Sequence, residues 1–206
     1  MSRLVAIAGN IGVGKSTLAT LVAERMDWRV LLETPEENPY LSDFYADMSR
    51  WSFHSQMFFL SRRLLQYRSI AGPGEKSFVQ DRTVYEDAEI FARHLYEAGR
   101  MSKRDWDSYR SLYSAIRDLL PTPTLVIHLR ASVPTLLKRI ATRGNEYERD
   151  INPQYLTELS ELYERWASGF DLGPLVQVDT DQLDFLQRPG DLKEIIGLIS
   201  TRLELR

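Results

Sequence analysis

The sequence contains no cysteine, which excludes disulfide staples and thiolate metal sites and fits a cytoplasmic protein. It also lacks a large excess of either charge: 26 basic residues stand against 29 acidic ones, a net charge of −3. A protein that grips nucleic acid regardless of sequence needs a basic field, so that partner class is set aside. Long apolar runs are missing too. The run at residues 4–8 is too short for a signal peptide or a membrane span, so no membrane partner is expected. No repeat, low-complexity tract or Pro/Ser-rich linker interrupts the chain, and residues 1–206 read as one domain. The remaining composition is ordinary, with 43% hydrophobic and 27% charged residues, enough for a sizeable single core.

Five short apolar runs read as buried parallel strands, at residues 4–8, 30–32, 77–80, 124–129 and 175–178. The segments between them are long enough for crossover helices. Helices are expected from a Gly-rich turn to about residue 26, and over residues 49–70, 86–98, 104–119 and 133–142. One more follows Asn152-Pro153, and an amphipathic one spans the apolar positions from Leu192 to Leu203. Gly72-Pro73-Gly74 ends the second of these, while Ser132 and Asn152 read as N-caps. The sum is a three-layer α/β fold with a five-stranded parallel sheet.

The first strand runs into Gly9-Asn10-Ile11-Gly12-Val13-Gly14-Lys15-Ser16, which fits G-x-x-x-x-G-K-[ST] between a strand and a helix. The glycines turn backbone N–H groups inward on phosphates, and the helix N-terminus adds positive potential. Lys15 reaches the β- and γ-phosphates of ATP, and the Ser16 hydroxyl ligates Mg²⁺. Thr17 completes the phosphate-binding run. Motors, switches and kinases all carry such a loop, so the acceptor side has to be read separately.

In an open α/β sheet the carboxyl ends of the strands face the ligand crevice. Glu33 follows the second strand and can take a proton from an attacking hydroxyl, although a helix cap or a solvated loop charge would look the same. Asp81 ends the third strand, where P-loop proteins place a carboxylate on the magnesium side. Arg82 beside it can steady the acceptor oxygen or the moving phosphoryl group, or form a structural ion pair with Asp81.

Several motifs then occur in a fixed order: the P-loop, Glu33, Asn38-Pro39-Tyr40-Leu41, Arg50-Trp51-Ser52-Phe53, the run from Asp81 to Asp87, Arg139 with Arg143-Gly144, Glu148, and Tyr155-Leu156. Together they resemble the deoxynucleoside kinase family over nearly the whole chain, and look most like bacterial deoxyadenosine/deoxyguanosine kinases. The resemblance implies a P-loop kinase fold with a short lid at about residues 139–150. It makes Glu33 the base on a nucleoside 5′-hydroxyl, with Arg82 its partner and Asp81 on the metal side. It also makes Tyr45 and Glu148 the holders of the sugar 3′-hydroxyl, and Gln56, Arg63 and Asp87 the readers of the base edge. Phe91 walls the base pocket, whereas Trp51, Phe53, Phe58 and Phe44 are left to the core. Arg139 and Arg143 become lid arginines closing over the phosphates. Family members often carry a further arginine where this chain has Asn145, and Arg149 stands nearby. A homodimer and feedback inhibition by a deoxynucleoside triphosphate are implied as well. Two rival readings remain: a thymidylate-like monophosphate kinase, which binds an acceptor phosphate, and a non-enzymatic nucleotide switch.

Overall fold

The computed structural model describes residues 2–68 and 76–204. The expected stop at Gly72-Pro73-Gly74, with the end of the helix before it, lies outside the described residues. Five strands, β1 (Leu4–Gly9), β2 (Arg29–Leu31), β3 (Phe78–Asp81), β4 (Leu125–Arg130) and β5 (Leu175–Asp179), form one sheet. Their order is β2-β3-β1-β4-β5 and every pairing is parallel. All six residues of β1 are buried, as a central parallel strand requires. The chain leaves β1 for the β2 edge, returns through β3, and then crosses to β4. The strands on either side of β1 are therefore reached in opposite directions, and the crevice opens at its carboxyl end.

The helices are α1 (Lys15–Met26), α2 (Leu41–Ala46), α3 (Met48–Arg68), α4 (residues 84–97), α5 (Lys103–Arg117), α6 (Val133–Arg143), α7 (Pro153–Ser168) and α8 (Pro189–Glu204). Two 3₁₀ turns, Pro35–Glu37 and Glu146–Glu148, sit in the connections. The first helix and α8 pack on each other and on the sheet, while α3, α5 and α7 gather round α4. Among the described residues no helix is long and apolar enough to cross a membrane.

The expected elements form, with local differences. The 3₁₀ turns and the six residues of α2 are too short to show a periodicity. The fourth helix starts two residues before its expected position, because Thr83 and Glu86 form a capping box there. Its middle, Asp87–Ala92, is a π-helical stretch. Asn152 caps α7 by accepting from the Gln154 amide. Ser132 holds the N-cap position of α6, but its hydroxyl bonds Thr135 and Asp181 and caps no helical amide.

Candidate functional site

The P-loop leaves β1 through Gly9, at φ 143°, where a Cβ would lie 2.6 Å from the Leu129 carbonyl oxygen. Gly12, at φ 81°, lies so close to α6 that a Cβ would meet Ile140 Cγ1 at 2.7 Å. Only glycine fits either position. Two side chains tie the loop down from behind. Asn10 Nδ2 donates to Leu156 O and Ser160 Oγ on α7, and its Oδ1 accepts from Ile11 N. Glu86 Oε1 accepts from Gly9 N at 3.1 Å and from the Tyr163 hydroxyl at 2.9 Å.

Inside the loop, Lys15 Nζ donates to Asn10 O at 3.0 Å. Burial and the nearby Arg82 charge lower the Lys15 pKa to about 8, against the opposing pull of Asp81, Glu33 and Glu86. Ser16 Oγ donates to Asp81 Oδ2 at 2.5 Å, and Asp81 Oδ1 is buried without a hydrogen-bond partner. A hydroxyl and a carboxylate with a spare lone pair suit Mg²⁺, which keeps several waters and phosphate oxygens in its shell. No cluster of three or more His, Asp or Glu ligands exists among the described residues. The pair thus fits a metal that arrives with a nucleotide better than a resident all-protein site.

Beside the cradle lies a cavity of about 90 Å³ bounded by the ends of β2 and β3, α2, α3, α4 and the Glu146–Glu148 turn. Glu33, two residues beyond β2, enters it between two arginines. Arg82 Nε lies 3.2 Å from Oε2, at an angle too poor for a hydrogen bond, and Arg63 Nη2 donates to Oε1 at 3.4 Å. Burial raises the Glu33 pKa, but Arg82, Arg63, Lys15 and Arg143 outweigh it and hold the carboxyl below its ordinary value. Arg82 adopts a left-handed backbone at φ 64° and lays its guanidinium 4.0 Å from the Phe91 ring centre. The Glu86 cap accepts from Thr83 N, the next amide, and so braces this unusual conformation.

Gln56 and Asp87 also line the cavity. Gln56 Oε1 is buried and unpartnered, an acceptor facing a space. Asp87 Oδ2 accepts from Arg63 Nε at 3.2 Å, and burial still raises the Asp87 pKa. Arg63 itself does not line the cavity. Four of its five N–H groups go to Asp87, Glu33, Gln66 and the Asp81 carbonyl. Tyr45 stacks on Tyr147 at 6.0 Å and shares the cavity wall with Glu148. Burial, then Tyr155 and Glu148, push the Tyr45 phenol well above its ordinary value.

Glu148 is also the anchor of the segment after α6. Arg143 grips it through Nη2, at 2.6 and 2.7 Å to the two oxygens, and through Nε, while Asn145 Nδ2 donates at 3.1 Å. Asn145 therefore adds a neutral donor to this carboxylate. Arg149 is exposed and lines neither cavity. Arg139 faces a second cleft, of about 680 Å³, between residues 12–17 of the P-loop, α6 and residues 181–188.

Of the residues expected from sequence, Lys15, Ser16, Glu33, Tyr45, Gln56, Asp81, Arg82, Asp87, Phe91, Arg143 and Glu148 meet at the cavity around Glu33, joined by Ile11 and Gly12. Gly12, Val13, Gly14, Lys15, Ser16, Thr17, Arg139 and Arg143 line the second cleft. Phe44, left to the core on sequence grounds, lines the cavity around Glu33, as do Phe59, Leu41, Tyr147 and Tyr155. A signal for Phe59 was present: Gln56, Phe59 and Arg63 are spaced three and four apart, one stripe of a helix.

The Deoxynucleoside kinase family model matches residues 5–204. A deoxyadenosine/deoxycytidine kinase of Bacillus subtilis is 38% identical over 202 residues, spanning 96% of this chain and 92% of that protein. A deoxyguanosine kinase of the same organism is 33% identical over 195 residues, 93% of each. The structure of deoxyadenosine kinase from M. mycoides with bound dATP superposes with a TM-score of 0.82 at 28% identity, covering 96% of this chain and 99% of that one. The readings as a nucleotide switch and as a thymidylate-like kinase give way to these matches. They run almost end to end, and on them the chain belongs to the deoxynucleoside kinase family and is a kinase of P-loop fold.

Proposed function

We propose that this kinase moves the terminal phosphoryl group of ATP, with Mg²⁺, to the 5′-hydroxyl of a purine deoxynucleoside, a salvage reaction of the cytoplasm. The observation that carries the reading is Glu33, a carboxylate kept ionised by two arginines inside a small cavity that opens beside Lys15 and Ser16. A neutral hydroxyl needs a base that strong charges hold ready, whereas a phosphate acceptor needs none. Glu33 takes the 5′-hydroxyl proton and Arg82 steadies the oxygen. The P-loop amides, Lys15 and Arg143 carry the phosphoryl charge. Ser16 and Asp81 would hold Mg²⁺, which neutralises charge on the phosphate oxygens when bound.

On the sugar, Tyr45 and Glu148 take the 3′-hydroxyl. At the base, most Arg63 donors are committed, so the Asp87 carboxyl and the unpartnered Gln56 Oε1 make this part of the cavity acceptor-rich. Such a lining suits the amino group of adenine, and thymine offers it no amino donor. Deoxyadenosine leads in this reading, deoxyguanosine and deoxycytidine follow, and thymidine is last. The M. mycoides relative with bound dATP or dCTP supports feedback inhibition by a deoxynucleoside triphosphate. Leu65 and Leu112 leave apolar surface on the packed pair α3 and α5, which supports a homodimer.

Initial rates on the four natural deoxynucleosides with Mg·ATP, beside deoxyadenosine monophosphate as acceptor, test the reading. Phosphorylation of deoxyadenosine ahead of the others is expected. Thymidine as best substrate would overturn the base assignment, and preference for the monophosphate would overturn the acceptor.

A further inference from the structure

Arg139 stands one turn before Arg143 on α6, yet both terminal nitrogens of its guanidinium are engaged. Nη1 donates to the Val13 carbonyl at 3.0 Å and to Thr180 Oγ1 at 2.9 Å. Nη2 donates to the carbonyls of Thr180 at 2.7 Å and Leu183 at 3.2 Å. All four terminal N–H groups therefore end on the protein, and a planar fork satisfied on both arms has none of them to offer a phosphate oxygen. Turning away would leave the acceptors of Thr180, a fully buried residue, short of donors.

The two ends of this bridge have different owners. Val13 belongs to the phosphate cradle; Thr180 and Leu183 belong to the loop after β5. The P-loop and the loop after β5 both line the larger cleft. Phe185 in that loop is buried, and its ring lies 3.7 Å from where a Cβ on Gly14 would sit. The cleft opens from residues 12–17 of the cradle itself, so in this reading it takes the rest of a triphosphate seated there.

We propose that Arg139 is a positioning residue: a strut that sets the spacing between the P-loop and residues 180–185, and so the fit of the donor's nucleoside end. It is then no ligand of the moving phosphoryl group, in contrast to the role implied by the family resemblance. The inference rests on ATP as donor. A strut and a phosphate ligand leave opposite kinetic traces. Without the strut the donor binds loosely, so KM for ATP rises and the preference among nucleoside triphosphates narrows, while kcat at saturating ATP stays near normal. Without a transition-state ligand kcat falls.

Steady-state rates with ATP, GTP and UTP on the full chain separate the two, using the wild type, Arg139→Ala, Arg139→Lys and Thr180→Val. Arg139→Ala is expected to raise KM for ATP about tenfold or more, the scale of a lost charge-assisted hydrogen bond. Arg139→Lys should not rescue it, since one ammonium cannot span both segments. Thr180→Val, nearly isosteric and outside the P-loop, should raise KM in the same direction by less. It keeps the test open if Arg139→Ala fails to fold. A fall in kcat of about 10² with KM unmoved, or an unaltered KM in Thr180→Val, would overturn the strut. A wild type that transfers nothing from ATP would instead remove the donor reading, and the strut with it.

Discussion

Glu33 shows how a side chain acquires a role from its neighbours. Alone after a strand it is an ordinary loop carboxylate; between Arg82 and Arg63 it is ionised despite burial. Under the proposed function, replacing it by Gln keeps the shape and removes the base, so kcat should fall by roughly 10² or more with a modest change in KM. Near-normal turnover in a folded Glu33→Gln enzyme would take it out of the chemistry. Lys15 sets the alkaline side. Its free-enzyme pKa of about 8 means the charge that holds phosphate is lost as pH rises through 8. Bound phosphate favours the protonated form, so kcat/KM for ATP should decline above pH 8 while kcat at saturating ATP holds further. A flat kcat/KM profile to pH 10 would contradict this. Sequence reached these residues because motif spacing names them. It did not reach Phe59 or Tyr147, whose importance depends on which way a helix or turn faces.

Among the elements, α4 carries the most. Its capping box could be read from Thr-x-x-Glu, but the second duty of Glu86 could not, because Gly9 and Tyr163 are each 77 residues away. Glu86→Ala would strand the Gly9 and Thr83 amides and the Tyr163 hydroxyl in a fully buried place. At about 1–3 kcal/mol for each unsatisfied group, a loss of at least 3 kcal/mol in denaturant unfolding is expected. Tyr163→Phe removes a single bond and should cost about 1 kcal/mol. Equal, small effects for both would show that the site adapts. The π-helical middle of α4 was invisible in the sequence, since apolar residues recur there much as in an α-helix. Its wider turn keeps Asp87 and Phe91, four apart, on the cavity side. The helix Leu41–Ala46 escaped notice for a different reason: six residues cannot display a period.

Across the molecule, all five strands were legible because buried parallel strands are short, nearly continuous apolar runs. Strand order was not, since apolar runs do not say which neighbour they choose. The division of the crevice into a small cavity around Glu33 and a larger cleft beside Arg139 also emerges only at this scale. It bears on specificity: Asp87→Asn should erode activity on whichever amino-bearing nucleoside leads and leave KM for ATP unchanged. A shift in KM for ATP of similar size would mean that the two halves are not separate.

The burial of Lys15 carries a consequence for durability. Its pKa lies at about 8 in the folded chain against 10.5 for an ordinary lysine. Below pH 8 the group is charged in both folded and unfolded chains, so the folded state bears the full penalty, about 3 kcal/mol at 1.36 per unit. The penalty shrinks only as pH climbs from 8 toward 10.5. Trading the ammonium for a methionine removes it, less the lost bond to Asn10. The empty Lys15→Met enzyme should therefore melt several degrees higher at pH 7, by the usual 2–4 °C per kcal/mol for a chain of this size. It should be catalytically dead, and adding ATP should no longer raise its Tm as it should for the wild type. An unchanged or lower melting temperature would mean that the lysine's burial costs the fold nothing. The rise would mark the phosphate cradle as a place where the protein has given up robustness in exchange for activity.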